Sequence, residues 1–237
     1  MFVDVHSHVV PSGDDGVGSV EEGLALCRDA HAHGTSLLFA TPHVWPQLPL
    51  TEDREEEIRR AYAEMAPVAA EAGLDLRLGF ELTPAPALLE EDLTRFTLGA
   101  LPAVLMELPF AGPLDLSQRV AGEIEARGLT PVIAHPERAD RVIDDPEIAA
   151  GYAERGWLLQ VNATSLLEYH GEAPFDTGWL LVERGLADLV ASDGHRPARP
   201  PLLDDAHAAV RRRIGERGDA LFNGAALGRL ASVAERV

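Results

Sequence analysis

Residues 2–8 read Phe2-Val3-Asp4-Val5-His6-Ser7-His8, a short apolar run that ends in two histidines one residue apart. On a strand, residues i and i+2 point to the same face, so His6 and His8 can grip one ion together. The pattern recurs along the chain. Short runs rich in Val, Leu and Ile predict further strands over 36–41, 76–81, 103–107, 131–134, 158–162 and 188–192. At or just past the end of these runs stand His43, Glu81, Glu107, His135, Asn162, and then Asp193 with His195. Helical periods fall between them, over 19–33, 52–72, 114–127, 146–155 and 176–184, with a less regular turn over 87–96. Two more helices, 203–217 and 225–235, close the chain.

Strand–helix alternation implies parallel strands joined by right-handed crossovers. About seven strands without a Pro/Gly/Ser linker predict one α/β domain over 1–237, built as a distorted seven-stranded (β/α)7 barrel of TIM-barrel-like form. A doubly wound open sheet is the alternative. In a parallel barrel the C-terminal strand ends converge on one rim, where active sites of such folds are built. Unrelated surface polar residues would not put a metal-type ligand at nearly every strand end.

The composition excludes several chemistries. Of 237 residues 46% are hydrophobic, and 20 basic against 39 acidic residues give a net charge of −19. Every basic residue is Arg, which removes the Schiff base, the pyridoxal-phosphate anchor and the Walker lysine. So negative a field disfavours nucleic acid as a partner. The single cysteine, Cys27, allows no intramolecular disulfide and fits a reducing compartment. With no secretion signal after Met1 and no apolar run of the ~18–20 residues that span a bilayer, a cytoplasmic protein without membrane insertion is expected. A cysteine-phosphatase loop would need Arg six positions after Cys27, where His33 stands. Cys27 falls in helical phase with Leu24 and Ala30 and reads as a small buried hydrophobe.

Imidazoles and carboxylates without thiolate suit Mn²⁺, Fe²⁺ or Zn²⁺ better than Ca²⁺ or a structural cysteine site. There are more such residues than one ion can use, so a cluster with a bridging carboxylate is expected. Metals ~3.5–4 Å apart characteristically drive in-line phosphoryl displacement. His31 and His33 form a decoy, because on a helix i and i+2 lie ~200° apart. His170 and His207 read as structural or surface residues. His135-Pro136-Glu137-Arg138 and Arg196-Pro197-Ala198-Arg199 place guanidinium groups beside two ligand positions, which points to an anionic substrate. Trp45, Phe110, Tyr169 and Trp179 are candidates either to stack on a substrate ring or to pack under loops.

Asp4-Val5-His6-Ser7-His8, Thr41-Pro42-His43, Glu81, Glu107, His135-Pro136-Glu137-Arg138 and Ser192-Asp193-Gly194-His195 resemble the successive motifs of the polymerase-and-histidinol-phosphatase (PHP) superfamily. Asp14-Asp15-Gly16 and the His-Pro-Glu-Arg run resemble, within it, the manganese-dependent bacterial protein-tyrosine phosphatases of capsule and exopolysaccharide operons. The resemblance covers essentially the whole chain and implies a barrel holding up to three Mn²⁺ ions, with Fe or Zn as alternatives. It implies one metal at His6, His8, Glu81 and Asp193, and a second at Glu81, Glu107 and His135. A third would lie between Asp15, His43 and His195. Arg138 and Arg199 match the phosphate-binding arginines. A hydroxide bridging the first two metals would attack the phosphorus of phosphotyrosine, and the implied partner is a bacterial tyrosine kinase. Val44 and Pro11-Ser12-Gly13 depart from the family's pattern at the mouth. The alternatives are a histidinol-phosphate phosphatase or other small-molecule phosphoesterase on the same site, and a catalytically inactive binding barrel.

Overall fold

Strands and helices alternate throughout the computed structural model, which describes residues 1–234. The order is β1 (Phe2–Asp4), α1 (Val20–Ala32), β2 (Thr35–Ala40), β3 (His43–Val44), α2 (Glu52–Glu71), β4 (Asp75–Leu78), β5 (Glu81–Leu82) and β6 (Ala103–Glu107). Then come α3 (Asp115–Ala126), β7 (Thr130–Ala134), α4 (Asp140–Asp144), α5 (Glu147–Glu154), β8 (Leu158–Asn162), α6 (Glu172–Glu183), β9 (Leu189–Ala191), α7 (Asp204–Ile214) and α8 (Ala225–Ala234). Every ladder between these strands is parallel.

The expected α/β fold with parallel strands is present, but no closed seven-stranded barrel forms among the described residues. There, nine strands form two sheets, ordered β1-β2-β4 and β3-β5-β6-β7-β8-β9. The third predicted strand is cut in two, and the second is followed by a further short strand, β3, that the sequence pattern does not announce. Pro42, which has no N–H to give a ladder, lies between β2 and β3, and Gly79-Phe80 lie between β4 and β5. Backbone bonds continue across both gaps, from Gly79 N to Ala40 O (2.8 Å) and from Glu81 N to Pro42 O (3.1 Å). The wider departure lies between β4 and β6, where residues 97–99 wedge in. Gly99 N donates to Leu78 O (2.8 Å) and Leu98 N to Ala103 O (2.9 Å). Past the end of β1 the chain meets the continuation of β9: Ser7 pairs with Gly194, Asp193 N donates to His6 O (2.9 Å) and His8 N to Gly194 O (2.7 Å).

Helix ends follow local chemistry. Ser19 caps α1 by accepting from Glu22 N, and Thr51 caps α2 by accepting from Arg54 N. α6 starts at Glu172, ahead of the predicted 176, since Pro174 is tolerated in a first helical turn. α7 stops at Ile214 rather than 217, where Gly215 turns left-handed with φ +73°. The last residue of the predicted 225–235 helix lies outside the described residues.

The sheets pack helices on one face, with Ile58, Met65, Val120, Ile124 and Val210 in that core. A second cluster joins Val5, Phe39, Leu105, Val132, Leu158 and Leu189 with Ala226 and Leu227 of α8. Because strand residues alternate faces, steps of two from this second cluster show where the interior turns polar. Leu105 leads to Glu107, Leu158 to Gln160 and Asn162, and Leu189 through Ala191 to Asp193. The N-terminal strand ends make an apolar floor, and the C-terminal ends carry the site.

Candidate metal centre

Five places in the sheets, next to β1, β3, β5, β7 and β9, deliver their polar side chains to one point. His6 and His8 bring their Nε2 atoms within 3.2 Å of each other. Both face Glu81 Oε2, at 3.0 and 3.4 Å, and both lie 3.5 Å from Asp193 Oδ1. His43 Nδ1 approaches the same Glu81 oxygen at 2.9 Å, while His135 Nε2 takes the other, Oε1, at 3.0 Å. His195 Nε2 lies 3.3 Å from Asp15 Oδ1, and His43 Nε2 lies 3.6 Å from it. Three groups gather their donor atoms within 4.8 Å: His6, His8 and Asp193; His6, Glu81 and His135; and His8, His43 and His195.

The His6–His8 and His135–Glu81 Oε1 contacts have the geometry of hydrogen bonds, and the others have only the distances of ion pairs. Glu81 Oε2, His8 Nδ1 and His43 Nδ1 are buried without a hydrogen-bond partner. Buried polar atoms left in this way are costly unless a further charge sits among them. A donor set of imidazole and carboxylate, with no thiolate, fits divalent cations of the Mn, Fe or Zn kind.

The charges follow. Burial by itself would raise the Glu81 and Asp193 carboxyls, but the surrounding imidazoles, His6 foremost, hold both well below the usual carboxylate range. Burial and the charge of His8 push His195 down to about 2, leaving its ring neutral and its lone pair free. Burial and the neighbouring Glu81 charge raise Glu107.

An outer layer orients the inner one. His6 Nδ1 donates to Gln160 Oε1 (2.9 Å), which turns its Nε2 toward the cluster. Gln160 Nε2 donates to Asn162 Oδ1 (2.9 Å), and Asn162 Nδ2 to Asp193 Oδ2 (2.8 Å), closing a chain from His6 to Asp193. Asp14 accepts from His43 N (2.9 Å) and lies 3.5 Å from His8 Nδ1. Glu137, fully buried, accepts from Asn162 N (3.0 Å) and Ser165 Oγ (2.7 Å). No sequence motif assigns a role to Asp14, Gln160 or Glu137; alternation puts Gln160 on the same strand face as Asn162 without saying what it holds.

Not every expected residue joins the inner set. Glu107 lines the same cavity, but its carboxylate is engaged by the Thr83 hydroxyl and stands outside the three groups. Asp15 is 60% exposed at its side chain, on the rim. Arg138 Nη1 donates to Asp193 Oδ2 (3.2 Å), and Arg199 Nη2 lies 3.8 Å from Asp193 Oδ1 and abuts His195 Nδ1. Arg196 instead is exposed and donates to the backbone oxygen of Asp15 (2.9 Å). The cavity, about 180 Å³, is lined by Arg138 and Arg199 together with Trp45 and Phe110.

The decoys lie elsewhere. His33 pairs with Asp204 (2.7 Å), His31 Nδ1 with Thr35 O (3.2 Å), and His207 with Asp219 (2.9 Å). Cys27 is buried, and burial pushes its thiol up to about 12. Trp179 is buried with its indole N–H on Leu166 O, whereas Tyr169 is exposed. His170 is not a plain surface residue: it is partly buried and paired with the Thr164 hydroxyl (2.9 Å).

Comparisons with known proteins bear on the fold and the family. Tyrosine-protein phosphatase YwqE of Bacillus subtilis is 28% identical over 203 residues, covering 82% of this chain and 77% of that protein. Tyrosine-protein phosphatase CpsB of Streptococcus pneumoniae is 26% identical over 233 residues, covering 91% and 92%. Among solved structures, that of YwqE and CpsB, described as unique metal-dependent tyrosine phosphatases, superposes with a TM-score of 0.81 at 24% identity, over 98% of this chain and 92% of that one. The lactonase Lmo2620 of Listeria monocytogenes shares the fold more loosely, with a TM-score of 0.56 at 16% identity, over 95% and 90%. The model of the family described as capsular polysaccharide synthesis, CpsB/CapC, matches residues 2–224, nearly the full described length, and the chain belongs to that family.

Proposed function

We propose that the chain is a metal-dependent phosphomonoesterase acting on phosphotyrosine in proteins. The observation that carries the reading is the convergence of two imidazole–carboxylate groups, a third group of imidazoles alone and two arginines around one cavity. The printed names of the relatives, tyrosine-protein phosphatases, support the substrate class. His6, His8, Glu81 and Asp193 are the first ligand set, Glu81 with Glu107 and His135 the second, and Asp15, His43 and His195 the third. Glu107 joins its set by giving up the Thr83 hydroxyl. Mn²⁺ is the proposed ion, up to three per chain, with Fe or Zn as substitutes. Bound there, such ions supply a nucleophile at neutral pH and offset charge on the phosphoryl oxygens.

The chain's own residues do the rest. Arg138 offers planar donors to two phosphoryl oxygens, and its ion pair with Asp193 and its place over the Phe110 ring (4.6 Å) hold it before substrate arrives. Arg199, which lines the same cavity, adds a second guanidinium for the phosphoryl group. Gln160 and Asn162 fix which nitrogen of His6 and which oxygen of Asp193 face the cluster. The tyrosyl oxygen leaves toward solvent, where a proton completes it.

The proposed setting is one domain over 1–237 in the cytoplasm, with a tyrosine-phosphorylated bacterial kinase of capsule synthesis as substrate. The two parallel sheets are read as a seven-stranded barrel interrupted by the wedge at 97–99. Among the described residues no helix is long and apolar enough to cross a membrane.

The test is a comparison of a phosphotyrosyl peptide, histidinol phosphate and a phosphodiester, with Mn²⁺, after EDTA, and after Mn²⁺ is restored. Hydrolysis of the peptide should vanish on chelation and return with the metal, while Cys27→Ser keeps its rate. Activity surviving complete chelation, or a preference for histidinol phosphate, would overturn the reading.

A further inference from the structure

Two aromatic rings stand over the metal centre without belonging to it. Trp45 stacks on His43, centroids 4.4 Å apart and planes at 28°. Phe110 tilts against His135 at 5.9 Å and 36°. His43 and His135 hold the two different oxygens of the Glu81 carboxylate. The rings therefore flank one cavity from two sides, with Arg138 and Arg199 in its lining.

Both rings are held in place from behind. The backbones of Trp45 and Leu48 exchange hydrogen bonds (3.3 and 3.0 Å), making a tight turn. Buried Arg54 clamps that turn by donating to Leu48 O (3.0 Å) and His43 O (2.8 Å). Phe110 O accepts from Asp140 N (2.8 Å), and the ring carries the Arg138 guanidinium. Even so Phe110 remains 48% exposed. A fixed, exposed aromatic beside convergent polar groups marks a ligand wall rather than core packing. Both rings line the cavity that Arg138 and Arg199 also line, so a ring joined to a phosphoryl group held by the arginines lies beside them.

We propose that Trp45 and Phe110 form a ring-binding subsite that selects aryl over alkyl phosphomonoesters. This rests on the phosphatase reading above and adds to it the residues that set specificity. A phenyl ring esterified to a phosphate held by Arg138 and Arg199 gains stacking and edge contacts with both walls. An alkyl chain gains only their apolar area.

The test uses the full chain loaded with Mn²⁺ and two probes that differ only in the wall contact, phenylphosphonate and methylphosphonate. Phenylphosphonate should inhibit at least about tenfold more tightly, and Trp45→Ala and Phe110→Ala should each cut that ratio about threefold or more. Trp45→Phe should keep most of it. Phenylphosphonate should also change the tryptophan fluorescence, and Trp45→Phe should abolish that change, because Trp157 and Trp179 are buried. A merely structural role would weaken both probes alike, so a ratio unmoved in either alanine variant would overturn the proposal. If the wild-type chain hydrolyses no phosphotyrosyl peptide, the functional reading fails instead. The fluorescence titration needs no turnover and still decides the subsite.

Discussion

His135 and Asp193 both adopt left-handed backbone, with φ of +34° and +53°. Outside glycine such conformations cost about 1–3 kcal/mol each and persist only where the surroundings dictate them. Here they aim two ring and carboxylate groups inward at the points where β7 and β9 end. A sequence shows the residue type at a strand end but not this twist, and it shows nothing of the residues whose role is to orient others. Asp14, Gln160 and Glu137 act only through distances to His43, His6 and Asn162. His170 is another such case. Burial, and then the charge of Arg138, lowers its pKa to about 4. An unfolded chain takes up this proton near pH 6.5, the folded one only near 4, so stability contributed by the neutral ring is lost as pH falls between those values. Allowing for partial exposure, His170→Gln should remove about 1–2 kcal/mol of the difference in unfolding free energy between pH 7 and pH 4.5, measured by urea titration. An unchanged difference would show that His170 does not titrate in this range.

The elements were legible where period and punctuation agree. The seven apolar runs and the His or acid at their ends follow from alternation along strands, and the main helices from their apolar faces. What escaped were interruptions imposed by tertiary structure. Gly79 sits inside the strand-like run 76–81, Pro42 lies just past the run 36–41, and the wedge at 97–99 is held by bonds to β4 and β6 that no local pattern announces. The opposite case is Pro67, which lies inside α2 without ending it. Ile58 before it and Met65 and Ala69 around it are buried, so the helix is held by its packed face. Pro67 itself is exposed and removes one backbone bond. Pro67→Ala should therefore stabilise the protein by about 1–3 kcal/mol, read as a higher urea midpoint at unchanged slope. A lower midpoint would mean that the kink itself fits α2 to the sheet.

Across the whole molecule, the site depends on where the beginning and end of the chain meet. Gly194 makes that junction, pairing with Ser7 and accepting from His8 N. A methyl group on Gly194 would come within 2.6 Å of the Pro201 backbone, which cannot swing away as a side chain would. Gly194→Ala should cost at least about 2 kcal/mol and weaken Mn²⁺ binding, measured by urea unfolding and by calorimetric titration. Wild-type affinity in this variant would show that the junction tolerates displacement. The same closure has a bearing on synthesis. A nascent chain leaving the ribosome displays His6 and His8 many seconds before Asp193 exists, at roughly 5–20 residues per second. Until Asp193 has been added, a cation meeting those imidazoles finds no carboxylate from the end of β9, and the proposed metal centre cannot assemble on a product cut short of it.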